Sequence, residues 1–142
     1  MQKSIFACLS ILTLAAPIPL YAGNTDVSAD AVVAFANLKD GDVVSSPLVV
    51  QFSATGVAIE PAGDAKPNSG HHHLLIDTTL SVEEMQFAIP KDDQHVHFGK
   101  AQSEATIELK PGKHTLQLAL GDGGHELHKR PILSKMITVE VK

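Results

Sequence analysis

Two histidine-rich strings, "GHHHLLID" and "QHVHFG", carry the most distinctive chemistry of this chain. Side chains two residues apart in a β-strand project from the same face, so His71 pairs with His73 and His95 pairs with His97. Two imidazoles on one face can chelate a divalent transition metal. The spacing therefore predicts that these four histidines are metal ligands.

A fifth candidate ligand lies in the glycine-rich string "GDGGHELHKRP". The flexible backbone before His125 can bring this side chain back towards the other histidines, so His125 is predicted as a further ligand. His128 is a weaker candidate, because the positive charges of Lys129 and Arg130 beside it disfavour a bound cation.

Two other histidines are expected to have supporting roles. His72 projects from the opposite face of its strand to His71, so it is expected to pack or to hydrogen-bond to a neighbour such as Asp77. His114 is in register with the leucines of "HTLQLAL", which places it on a core face. A core histidine is the first expectation there, and support for a metal site is the second.

The rest of the composition restricts the metal chemistry. The single cysteine, Cys8, lies in the apolar N-terminal stretch, which excludes disulfides, thiolate-bound zinc, a blue-copper centre and a cysteine nucleophile from the remainder. An all-nitrogen set binds copper(II) most tightly among the common divalent ions, followed by zinc. The leading hypothesis is non-catalytic binding of copper, with zinc second.

Two other functions remain open. The histidines can instead form a metal-free hydrogen-bond network in a structural or protein-interaction domain. A metal-dependent enzyme of cupin-like or hydrolase type is the third hypothesis, although the cupin spacing fails because six residues separate His97 from Glu104. Neither a Gly-x-Ser-x-Gly elbow nor a phosphate-binding glycine loop is present in the sequence.

The N-terminus predicts export. Residues 1–22 carry one positive charge, an apolar run and a small-residue end, as in a secretory signal peptide, so the protein is expected to be periplasmic or secreted. Residues 23–30 are expected to be a mobile lead-in, and residues 31–142 a single domain.

The net charge of −5 disfavours nucleic acid as a partner, and no later segment is long and apolar enough to be a membrane span. The expected partners are a metal ion and a second periplasmic protein.

A period of two dominates the remaining sequence. Apolar residues alternate with polar ones in "PLVVQFSA", "EATIELK", "KHTLQLAL" and "MITVEVK", and shorter strands are expected at residues 31–36 and 71–76. Pro111-Gly112 predicts a hairpin turn between two of these strands, and Ser81 with Glu84 predicts one capped helical turn. The pattern predicts an all-β fold, an immunoglobulin-like antiparallel β-sandwich of six or seven strands.

The strings "GHHHLLID", "HVHFGKAQSE" and "LKPGKHTLQLAL", followed by a later histidine and a terminal strand, resemble a family of small exported bacterial domains of unknown function. The resemblance covers residues 33–141. It implies that seven histidines are features of the family, and it brings no established activity. These seven are His71, His72, His73, His95, His97, His114 and His125.

Overall fold

The computed structural model describes Gly23 and residues 25–142, so the predicted signal peptide lies outside the described residues. Among these residues no helix has the length and apolarity needed to cross a bilayer. The described residues form nine strands: β1 (Val32–Phe35), β2 (Asp42–Val44), β3 (Leu48–Thr55), β4 (Ala58–Ile59), β5 (Ser69–Ile76), β6 (His95–His97), β7 (Glu104–Ile107), β8 (Gly112–Gly121) and β9 (Ile137–Val141).

The strands form two sheets, which confirms the predicted all-β, sandwich-like architecture. The smaller sheet has the order β1-β3-β7. The larger sheet has the order β2-β9-β8-β5-β4, with β6 also paired to β5. One side of β5 therefore pairs with β8, while the other side is shared by β4 at its start and β6 towards its end. The immunoglobulin-like classification stays a prediction.

The purely antiparallel arrangement predicted from the sequence is wrong in two places. β2 pairs in parallel with β9, and β4 pairs in parallel with β5. Both of these strands are only two or three residues long, which is too short for an alternating pattern to reveal them. They raise the strand number above the predicted six or seven.

The predicted hairpin at Pro111-Gly112 is also wrong. β7 pairs with β3 in the smaller sheet, whereas β8 pairs with β5 and β9 in the larger one. This turn therefore carries the chain from one sheet to the other. Alternation in a sequence indicates which face of a strand is buried, but it does not identify the neighbouring strand.

Both sheets contribute to one apolar core. Every second residue of β3 is buried from Leu48 to Phe52, as the sequence predicted. The inward face of β8 meets these side chains from the other sheet. The most buried members of this core are Ala31, Val50, Leu74, Leu116, Leu118, Leu120, Ile132 and Val139.

The segment between β5 and β6 contains the predicted helical turn as a 3₁₀ turn, Glu84–Gln86. The backbone N–H of Ser81 donates to the Glu84 carboxylate at 2.8 Å, and the backbone N–H of Glu84 donates to the Ser81 hydroxyl at 3.2 Å. This reciprocal pair is a capping box, as expected from the sequence.

The residues before β1 make specific contacts with the domain. The backbone N–H of Lys129 donates to the carbonyl of Thr25, and the backbone N–H of Asn68 donates to the carbonyl of Asp26. A Cβ atom on Gly23 would lie 1.8 Å from the carbonyl oxygen of Leu127, so the backbone here packs directly against the chain before β9. The boundaries at residues 22 and 30 stay predictions.

Candidate metal centre

The histidine triplet lies in β5, at the centre of the larger sheet. All of β5 up to Leu75 is buried, because both faces of the strand are covered. His72 and Leu74 face the core between the sheets, where the His72 ring packs on Phe52 with centroids 5.0 Å apart. His71 and His73 face the other way, on the same side as Leu75.

A second apolar cluster covers this outer face of the larger sheet. Its buried members are Leu75, Leu80, Ile89, Ala119 and Leu127. Leu80 and Ile89 come from the segment between β5 and β6, and Leu127 comes from the segment between β8 and β9. These two segments explain why His71 and His73 are at most 1% exposed although they face away from the main core.

The register of β6 adds a third imidazole to this face. His97 lies directly opposite His73 in the antiparallel β5–β6 pair, and paired residues project from the same face of a sheet. On the other side of β5, Gly121 lies opposite His71 and Ala119 lies opposite His73. These small residues of β8 leave the outer face open for the rings.

Two glycines fit closely around the imidazoles. A Cβ atom on Gly99 would lie 2.5 Å from Nε2 of His97, and one on Gly121 would lie 2.8 Å from Nε2 of His73. Neither glycine has a positive φ, so space rather than backbone conformation requires glycine at these positions.

The fourth imidazole comes from the loop after β8. His125 has a φ of 71°, which is the left-handed region that non-glycine residues rarely adopt and that costs about 1–3 kcal/mol. Buried Asp122 holds this loop, because its Oδ1 accepts hydrogen bonds from the backbone N–H groups of Gly124 and Glu126. The hydroxyl of Thr25 donates to Oδ2 of the same carboxylate at 2.9 Å.

Four ring nitrogens converge where these elements meet. Nε2 of His71 lies 3.1 Å from Nε2 of His73, 3.2 Å from Nε2 of His97 and 3.1 Å from Nδ1 of His125. One nitrogen from each ring can be chosen so that all four lie within 4.8 Å of one another. With metal–nitrogen bonds of about 2.0–2.1 Å, adjacent ligands lie about 2.9 Å apart in a square and about 3.4 Å apart in a tetrahedron. The three separations from Nε2 of His71 fall between these two values, and no separation within the group exceeds 4.8 Å.

Hydrogen bonds between the rings satisfy only part of this convergence. Each nitrogen of a neutral imidazole carries either one proton or one lone pair. Nε2 of His71 faces three other ring nitrogens at hydrogen-bonding distance and can form a normal hydrogen bond with only one of them. A shared cation would accept a lone pair from all four rings at once.

The surroundings of His71, His73 and His97 favour the neutral, metal-binding form of these three rings. Burial lowers the pKa of His71 to about 4, with the charges of His97 and His125 adding to this effect. Burial lowers the pKa of His73 to about 2, again with help from the neighbouring histidines. Burial, followed by the charges of His125 and Lys91, also lowers the pKa of His97. Proton competition for the metal is therefore weak at neutral pH.

The surroundings of the rings differ from those of many metal sites. Metal-bound imidazoles usually donate their second N–H to an acceptor, yet Nδ1 of His71 and of His73 has no hydrogen-bond partner among the described residues. Packing in the buried face therefore orients these rings. Asp122 supplies a buried negative charge close enough to oppose the lowering of the pKa of His71, and this charge favours a cation at the site.

The cluster opens onto a small cavity of about 160 Å³. His73, His97 and His125 form one wall, and Ala88, Ile89 and Lys91 form the rest of the lining. His71 does not line the cavity and is fully buried. The site therefore has a closed side at His71 and an accessible side at the cavity.

The structure does not bring His95 into the four-histidine group. His95 lies opposite Leu75, two residues along β6 from His97, and its Nδ1 lies 2.8 Å from Oδ1 of Asp92. Its other ring nitrogen, Nε2, is buried without a hydrogen-bond partner among the described residues.

The remaining histidines lie elsewhere. The sequence suggests Asp77 as a hydrogen-bond partner of His72, but in the structure Asp77 interacts with His114 instead. Oδ2 of Asp77 lies 2.7 Å from Nδ1 of His114, and this hydrogen bond raises the pKa of His114. His114 lies opposite Val139, far along β8 from Gly121. His128 is fully buried, with Nε2 3.0 Å from the carbonyl oxygen of Ser69, so it is a packed histidine outside the cluster.

A family model described as a domain of unknown function, DUF4399, matches residues 50–142. The chain belongs to this family. The DUF4399 match runs from β3 to the end of β9 and contains all eight histidines. No curated protein and no solved structure matches the chain. That the individual histidine strings are features of the DUF4399 family stays a prediction.

Several residues that build the centre of this DUF4399 domain have no signal in isolation. Asp122 and Thr25 are separated by 97 positions, and the sequence around each residue contains no sign that their side chains form a hydrogen bond. Gly99 and Gly121 read as ordinary loop and strand-end glycines. The glycine-rich string around Asp122 predicts a flexible loop, but the Asp122 carboxylate holds this loop in place.

Proposed function

We propose that this protein is an exported domain that binds one transition metal ion through His71, His73, His97 and His125, without catalysis. The observation that carries the proposal is the convergence of three imidazole nitrogens within 3.2 Å of Nε2 of His71. The predicted set changes in one respect, because His95 bonds to Asp92 and is left out.

Copper is the favoured ion and zinc the second. The cluster offers four imidazole nitrogen ligands and contains neither a thiolate nor a carboxylate. Copper(II) binds such ligands more tightly than the other common divalent ions, and zinc follows. Export to an oxidising compartment supports copper(II) further. A metal-handling role there would involve a second periplasmic protein as donor or acceptor.

Titration of the untagged protein from Gly23 onward with copper(II) and with zinc tests the proposal. We expect one ion per chain to be retained after desalting, an increase in melting temperature, and nitrogen hyperfine coupling in the copper(II) electron paramagnetic resonance spectrum. Bound metal stabilises by about 2.7 kcal/mol when the free ion is at 100 times its Kd. Failure to retain stoichiometric metal would overturn the proposal.

Two histidines of β6 provide a matched pair of variants. His97→Ala removes a ring whose Nε2 lies 3.2 Å from His71, so metal affinity should fall by at least tenfold. His95→Ala removes the other β6 histidine, whose ring interacts with Asp92 and not with the cluster, so metal binding should remain. Equal losses in both variants would contradict the four-histidine assignment.

A metal-free histidine network in a structural or interaction domain is the second candidate. The unpartnered Nδ1 atoms of His71 and His73 favour it, because metal-bound imidazoles usually have a partner there. Nitrogen-15 spectra of the protein with and without zinc separate the two functions. Unchanged imidazole resonances on addition of zinc would support the metal-free network.

An enzyme is the third candidate, and the carboxylate considered for it lies elsewhere. Glu104 belongs to β7 of the smaller sheet and interacts with Gln51. It is therefore not beside His97. Turnover of a substrate that disappears on removal of the metal would be needed to support an enzymatic function.

A further inference from the structure

The cavity beside the histidine cluster gives one side of the site an open approach. His73, His97 and His125 line it, whereas His71 lies behind them in the interior. An ion held by all four rings would thus have protein on the His71 side and the cavity on the other. Copper(II) and zinc both accept a ligand beyond four when there is room for it.

The size of the cavity limits what it can hold. Its volume is about 160 Å³. One water molecule occupies about 30 Å³ in the liquid, so the cavity has room for a ligand of about three to five non-hydrogen atoms. Ala88 and Ile89 supply apolar walls on one side of it.

The charge of the cavity lining determines whether a cationic or an anionic ligand is favoured. Lys91 is the one charged residue of the lining, and the described lining residues include no carboxylate. A divalent ion on four neutral imidazoles adds two positive charges beside it. Such a site attracts an anion, because opposite charges within a few ångströms in a partly buried site interact much more strongly than they do in water.

We propose that the bound metal takes a small anion, of the size of azide, formate or bicarbonate, as a further ligand in this cavity, paired with Lys91. This inference rests on the proposed function. The anion donates a lone pair to the metal and displaces water, and no electron is transferred. The four imidazoles remain bound throughout.

Titration of the copper(II)-loaded protein with sodium azide in a non-coordinating buffer tests this inference. We expect a new azide-to-copper charge-transfer band that saturates, with the nitrogen hyperfine coupling of the imidazoles retained. Lys91→Ala should weaken azide binding by about 3- to 10-fold, and Lys91→Arg should restore it. Lys113→Ala is the matched control, since this exposed lysine lies on β8 opposite Glu140, and it should have no effect. High salt should weaken azide binding in the wild type more than in Lys91→Ala.

The outcomes separate this inference from the proposed function. Absence of stoichiometric copper in the starting protein overturns the proposed function itself. If the protein retains stoichiometric copper but shows no azide band, the inference of an anion ligand is overturned and the proposed function is not. Loss of imidazole coupling as azide binds shows displacement of a histidine, which also overturns the inference. Equal azide affinity in the wild type and Lys91→Ala overturns the pairing with Lys91.

Discussion

A Cβ atom at Gly121 would lie 2.8 Å from Nε2 of His73, although the two residues are 48 positions apart in the chain. The contact arises because Gly121 pairs with His71 across the β5–β8 ladder and so lies beside the next ring on the same face. The absence of a side chain at position 121 therefore leaves space for the rings of the four-histidine cluster.

Gly121→Ala should therefore weaken metal binding more than it weakens the fold. The added methyl group displaces the end of the His73 side chain, and an error of a few tenths of an ångström in a ligand reduces affinity. We expect a loss of copper affinity of about tenfold, measured by competition with a chelator. Gly63→Ala is the control, because a Cβ there would meet no atom within 4 Å. Equal affinities in the two variants would contradict this steric role.

His125→Asn should remove a ligand without harming the fold. Asparagine tolerates the left-handed conformation observed at this position, where φ is 71°. We expect the free energy of unfolding of the metal-free protein to change by less than about 1 kcal/mol, measured by urea unfolding. The stabilisation that copper adds should be smaller in the variant than in the wild type, because only three of the four imidazoles remain. If copper still stabilised the variant to the same extent, His125 would not be a ligand.

Thr25→Val should disturb the loop that carries His125. The variant leaves the buried Asp122 carboxylate without the hydroxyl that donates to it at 2.9 Å. Loss of a hydrogen bond to a buried charged group costs about 1–3 kcal/mol, so urea unfolding should occur at a lower concentration. Copper affinity should fall as well. Thr25→Ser keeps the hydroxyl and should behave as the wild type; if it is as unstable as Thr25→Val, packing rather than the hydrogen bond is responsible.

Acid should destabilise the metal-free protein. Burial lowers the pKa of His71 and of His72 to about 4 from an ordinary value of 6.5. Between these pH values the unfolded chain binds protons that the folded chain does not, so stability is complete above pH 6.5 and falls as the pH is lowered. Each such histidine contributes about 1.4 kcal/mol per pH unit in this range. His114, whose pKa is raised by Asp77, opposes the trend, but it is partly exposed and its effect is smaller.

Urea unfolding of the metal-free protein from pH 7.5 to 4.5 measures this dependence. His72→Leu is the informative variant, because His72 packs in the apolar core against Phe52 and is not a ligand. The variant should lose stability less steeply on acidification than the wild type does. Parallel curves for the two proteins would show that His72 is not protonated on unfolding in this range.

Four strands, β3, β7, β8 and β9, were predictable because each one carries its own alternation. The buried positions of β3 and β9 follow directly from a period of two, and the same arithmetic separates His72 from His71 and His73. The capping box of Ser81 and Glu84 was predictable for the same reason, since its two partners are only three residues apart. Interactions between residues only a few positions apart can be predicted from the local sequence.

The amino-acid sequence by itself determined the ligand types, the absence of thiolates after Cys8 and the face on which each strand histidine projects. Only the tertiary structure decided that His97 lies opposite His73 while His95 bonds to Asp92, and that His125 returns over the sheet in a loop held by Asp122 and Thr25. Strand register and loop closure depend on partners many residues away, and a local pattern contains no information about them. The four-histidine cluster is therefore a product of strand pairing and loop closure, and its strand histidines already lie on the correct faces in the sequence pattern.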